Sequence, residues 1–159
     1  MLPKTIEELN RTRDECHGMV AQRAALSAGG TLVPVPGLDI AVDVGLLMEL
    51  LPAINRRFGL APEQIDGLDP RLKMMIYQVI IDLGGKVVGQ TITKQLIMQI
   101  LKRVGIRVTA KQVTKFIPFI GQAIAAGLSF GAMTIVGNSH VGDCYRVAEH
   151  LINNERPMA

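Results

Sequence analysis

His140 and Cys144 stand one helical turn apart, with Asp143 between them. An imidazole beside a thiol can act as a Cys–His nucleophile pair or supply two ligands to zinc. Cys16, His17 and His150 would join the same neighbourhood if the terminal helices pack together. No paired-cysteine motif supports a zinc site, however, and no third group is identifiable that would orient the imidazole. A free cysteine on a helix more often packs as a small hydrophobe. Asp39 and Asp43 form a second pair one turn apart on a shared face, which could do acid–base or metal work. With no third ligand at a sensible spacing, one of them is read as a helix-dipole partner and the other as salt-bridged to a basic side chain. The chain contains neither a Gly-x-x-x-x-Gly-Lys-Ser/Thr loop nor a Gly-x-Gly-x-x-Gly motif after a strand. No catalytic, cofactor-binding or metal residue is therefore assigned, no cofactor is expected, and the chain is read as non-enzymatic.

The elements that carry these residues read as helices. Thr5 and Glu8 form a capping-box pattern that opens a helix from about Ile6 to Ala28, stopped at Gly29-Gly30. A second helix is expected from Gly37 to about Phe58, kinked or split at Pro52. Pro62 to Ile65 reads as a single turn. Asp69-Pro70 opens a helix to about Leu83, and a further helix spans about Lys86 to Val104, ended by Gly105. In that last helix Leu96, Ile97, Ile100, Leu101 and Val104 share one side, and Gln95, Gln99, Lys102 and Arg103 the other. Thr109 and Gln112 suggest a short basic helix. A helix from Gly121 to Val136, a break at Gly137-Asn138 and a last helix from Val141 to Asn153 complete the chain. The expectation is a single all-α domain over residues 1–159 with about six helices, more polar over residues 5–20 and with its core in 24–153.

A phrase occurs twice within this frame. Leu32–Ala41 (Leu-Val-Pro-Val-Pro-Gly-Leu-Asp-Ile-Ala) and Phe116–Ala125 (Phe-Ile-Pro-Phe-Ile-Gly-Gln-Ala-Ile-Ala) match at Pro34/Pro118, Gly37/Gly121, Ile40/Ile124 and Ala41/Ala125, at one offset of 84 residues. Each copy is a breaker followed by an apolar helix, with Pro34, Pro36, Gly37, Pro118 and Gly121 at the turns. The second copy is the more apolar. From Phe116 to Gly142 there are 27 residues without Asp, Glu, Lys or Arg, which exceeds the roughly 20 that a bilayer-spanning helix needs. Asp39 and Asp43 make the first copy unsuited to spanning.

Charge is also distributed unevenly. Hydrophobic residues make up 48% of the chain and charged ones 19%, fewer charges than the roughly 25% of an ordinary soluble domain. Between Asp82 and Asp143 there is no carboxylate, while Lys86, Lys94, Lys102, Arg103, Arg107, Lys111 and Lys115 give that stretch +7; with a net charge of +3, the remainder carries −4. A cationic segment leading into an apolar one suits an anionic lipid surface. Aromatic residues are only 4% and Trp is absent, which argues against nucleic-acid binding by stacking. Two cysteines make no disulfide framework, the amino terminus has no apolar signal region, and a cytoplasmic setting is expected.

The stretch Leu32–Leu60, with Val-Pro-Val-Pro-Gly-Leu-Asp-Ile-Ala-Val-Asp-Val-Gly-Leu-Leu and then Phe-Gly-Leu, resembles the helical region that follows the GTPase module in immunity-related GTPases. It also resembles the helical domain of bacterial Era-like GTPases and of YcjF-type inner-membrane proteins. Phe116–Leu151 is similar to the end of that domain and to the EcsC family. The resemblance implies an all-α, membrane-associated domain that serves a GTPase or transporter partner, and it supplies no catalytic residues. Without a phosphate-binding loop here, a nucleotide-driven role would need a separate GTPase.

Taken together, these features lead to the expectation of a helical domain that docks on or inserts into the cytoplasmic face of a membrane. Lys94, Lys102, Arg103, Arg107, Lys111 and Lys115 would meet anionic head groups. The alternatives are a soluble helical adaptor or oligomerisation module, including a homo-oligomer, and a pore-forming effector whose hairpins refold on membranes.

Overall fold

The computed structural model describes residues 1–30, 38–85, 87–112 and 121–155, with side chains over 1–27, 43–85, 87–104 and 130–154. The turn residues Pro34, Pro36, Gly37 and Pro118, and the basic residues Lys86 and Lys115, lie outside the described residues. Six helices follow in order: α1 (Ile6–Gly30), α2 (Leu38–Arg57), α3 (Pro62–Asp66), α4 (Pro70–Asp82), α5 (Lys94–Gln112) and α6 (Gly121–Glu155). Among the described residues there is no strand, and the all-α class expected from the sequence is the one observed.

Local signals start several helices as expected. Thr5 Oγ1 accepts from the Glu8 amide at 3.2 Å, while the Glu8 carboxylate reaches back one residue further, to the Lys4 amide at 2.9 Å. Asp69 Oδ1 accepts from the Arg71 amide at 2.9 Å, ahead of Pro70 in the first turn of α4.

Three expected breaks are absent, α2 not being split at Pro52, and tertiary packing accounts for two of them. α2 continues through Pro52. An interior proline costs about 3 kcal/mol, and the fully buried neighbours Leu51 and Ile54 hold the helix on both sides of it. α6 runs unbroken through Gly137-Asn138. A Cβ on Gly137 would lie 2.7 Å from both methyls of Val20, so this glycine serves close approach of α1 and α6 and does not break a helix. α5 likewise passes Gly105 and absorbs the separate helix expected at Thr109. It also starts later than expected. Residues 87–93 are not helical. Gly89 has φ +70°, and a side chain there would meet Ile80 and Ile65 at 3.0 and 3.1 Å. Thr93 then caps α5, its hydroxyl accepting from the Leu96 amide at 3.2 Å.

The chain divides into two compact units: residues Met1–Gly18, Leu51–Ile92 and Ser139–Ala159 form the first, and Met19–Leu50 with Thr93–Asn138 the second. In the first unit α1 is tied to α2 by Glu15–Arg57 at 2.9 Å, and to α6 by Tyr145 Oη donating to Asn10 Oδ1 at 3.0 Å. Arg13 lies over the Tyr145 ring at 5.4 Å from its centroid. The first unit's core holds Leu9, Leu51, Ile54, Phe58, Ile65, Ile76 and Val147. In the second unit Arg23–Glu49 at 2.9 Å links α1 to α2, and Val20, Leu47, Leu50, Ile97 and Met133 are buried.

Candidate functional site

Two constellations on this frame could carry function. The first is a buried polar cluster in the first unit. α2 supplies Asn55 and α6 supplies His140 and Cys144, all buried. The Cys144 thiol donates to Asn55 Oδ1 at 3.4 Å, and its sulfur lies 3.7 Å from His140 Nε2. Burial pushes the Cys144 thiol well above its ordinary range, with the Asp143 charge acting in the same direction. Burial also lowers the His140 imidazole to about 4, against a weaker opposite pull from the Leu51 carbonyl. Cys16 is buried as well and raised to about 11 by desolvation, which outweighs the opposing charge of Arg57.

Near neutral pH the imidazole and both thiols are thus uncharged. A Cys–His nucleophile needs the thiolate that this environment disfavours. Asn55 Nδ2 and His140 Nδ1 are buried without a hydrogen-bond partner among the described residues. His17 and His150 are exposed. Among the described residues no three His, Cys, Asp or Glu side chains could together hold a metal ion. The sequence does not single out Asn55; its one signal is an amide directly after the apolar run Leu50–Ile54. Asp43, expected to be salt-bridged, is buried in the second unit and instead accepts from the Ser27 hydroxyl, itself buried.

The second constellation is the basic face of α5. Lys94, Gln95, Gln99, Lys102 and Arg103 are exposed, and Ile97 on the opposite side is fully buried. Leu96, Ile100, Leu101 and Val104 are half-buried on that apolar side. Lys94, Gln95, Met98, Gln99 and Lys102 line an open depression along the helix. Among the described residues Lys94, Lys102 and Arg103 form no ion pair, and α5 contains no carboxylate that could neutralise them. Arg107 and Lys111 belong to the same helix by its backbone, and Gly121 opens α6. No helix among the described residues is long and apolar enough to cross a membrane.

The described residues form an all-helical fold with an uncharged buried polar cluster and a basic helix face on which Lys94, Lys102 and Arg103 make no described ion pair. No family model, no curated protein and no solved structure matches the chain.

Proposed function

We propose that this chain is a non-enzymatic helical domain that docks peripherally on the anionic, cytoplasmic face of a membrane through α5. The supporting observation is the concentration of Lys94, Lys102 and Arg103 on the exposed side of a helix without a carboxylate or a described ion pair. Ion-paired cations have little left to offer a second anion, whereas these three are available. The fully buried Ile97 anchors the opposite side in the protein, which favours electrostatic docking of the polar face over burial of the apolar one. The resemblance to GTPase-linked domains adds a separate GTPase or a transporter as the partner such docking would serve.

Each basic residue held near an anionic bilayer contributes about 1 kcal/mol. Reversing Lys94, Lys102 and Arg103 to Glu then removes at least about 3 kcal/mol, roughly a hundredfold or more in partitioning. The measurement is cosedimentation with vesicles of phosphatidylcholine alone and with added phosphatidylserine, at low and high salt. Binding is expected only to the anionic vesicles, only at low salt, and only for the unsubstituted chain. No binding to anionic vesicles at low salt, or equal binding by the triple variant, overturns the proposal.

A further inference from the structure

α4 buries one side and leaves the other strongly apolar. Ile76, Val79 and Ile80 face the core. On the opposite side Met74 is 69% and Ile81 71% exposed. Two large apolar side chains so exposed on one side of a 13-residue helix mark a candidate interaction surface. Residues 71, 74, 78 and 81 recur at the three- and four-residue spacing of a helix-pairing seam.

The charges at the ends of this seam indicate the partner. Exposed Arg71 stands at the amino-terminal end and exposed Asp82 at the carboxy-terminal end. Lys73, the other cation on the helix, is already paired with Asp66, whereas Arg71 makes no ion pair among the described residues. Gln78 sits midway and donates to Asp82 Oδ1 at 2.8 Å. A seam that is basic at one end, acidic at the other and apolar between is complementary to itself when reversed.

We propose that α4 pairs two copies of this chain, antiparallel about a two-fold axis close to Gln78. Met74 of one copy then falls opposite Ile81 of the other, and Arg71 comes within reach of Asp82, each contact being made twice as an isologous interface requires. The two helix dipoles are also opposed. One short helix per copy is a small interface, so association belongs at the weak end of the range, in the upper micromolar region. The inference does not depend on membrane docking and uses none of the basic residues of α5.

The test is sedimentation equilibrium of the full chain over a concentration series reaching about 1 mM. Arg71→Glu places two carboxylates opposite each other at both ends of the seam, and Asp82→Arg places two cations there. Each variant alone is expected to weaken association roughly tenfold. Mixed in equal amounts, the two variants restore opposite charges at both ends, and association should return towards that of the unsubstituted chain. Gln78→Cys, at the axis, should crosslink to its own copy under mild oxidation, since Cys16 and Cys144 are buried. These positions are exposed, and circular dichroism confirms that each variant folds. A chain that stays monomeric to the highest concentration, association indifferent to both single variants, or a mixture no stronger than its components would each overturn the proposal.

Discussion

His140 makes the stability of this protein depend on pH in a direction that can be worked out from its burial. In the folded chain the imidazole protonates only at about 4, against 6.5 when free of the fold. The unfolded chain therefore takes up this proton first as pH falls. Stability from the neutral imidazole is complete above pH 6.5, declines through the interval below it, and levels off once the folded form also protonates near 4. One pH unit for one proton is worth about 1.4 kcal/mol, so the full interval is worth about 3 kcal/mol and the part down to pH 4.5 about 2.5 kcal/mol. That is a large share of the 5–15 kcal/mol that stabilises a typical domain. The measurement is urea unfolding followed by far-ultraviolet circular dichroism, since the chain lacks Trp. The unsubstituted chain and His140→Leu would be compared between pH 7.5 and 4.5. Every other contribution is common to the two proteins and cancels in the difference. The unsubstituted chain should lose about 2.5 kcal/mol more than the variant over this range. Parallel curves would mean that His140 is hydrated or already protonated, and would refute the buried neutral cluster.

Two further outcomes follow from packing. Gly137→Ala gains about 1 kcal/mol of helix propensity but forces a Cβ to within 2.7 Å of both Val20 methyls. Val20 is β-branched and almost fully buried, so it cannot swing aside, and a net loss of about 1–2 kcal/mol is expected. Thermal melts should show Gly137→Ala destabilised and largely rescued by adding Val20→Ala; an unrescued loss would place the clash elsewhere. Cys16 and Cys144 should react with an aromatic disulfide reagent at pH 8 only as fast as the fold opens, and both at once in urea, because burial blocks access and raises both thiols. A thiol that reacts rapidly in the native chain would contradict the packing of its helix.

Most of the fold is legible because helix starts are local. Thr5 and Asp69 place an acceptor beside amides that are free at any helix start, whatever surrounds them. Helix continuity is not local. Pro52 and Gly137 are breakers by intrinsic preference and become interior residues because Leu51, Ile54 and Val20 supply packing that the preference scale does not contain. The repeated phrase survives this correction in part. α2 begins at Leu38 and α6 at Gly121, 121 − 38 = 83 residues apart, one residue from the offset of the phrase. Each copy of the phrase thus leads into a helix, and most of each copy lies outside the described residues.

The candidate sites divide along the same line. The basic face of α5 is a property of one helix, so spacing alone separated Lys102 and Arg103 from Ile97. The Asn55–His140–Cys144 cluster joins α2 to α6, and spacing could supply only the half contributed by α6. The α4 seam was hidden for a different reason. Met74 and Ile81 look like core residues in a helical pattern, and only the burial of Ile76, Val79 and Ile80 on the opposite side shows that the core is already provided for. An apolar residue reads from sequence as something buried, but the sequence does not say whether the burying surface belongs to the same chain. Arg71 and Asp82 narrow that choice, because end charges that satisfy each other only on reversal serve a second copy better than they serve a lipid surface or the chain's own interior.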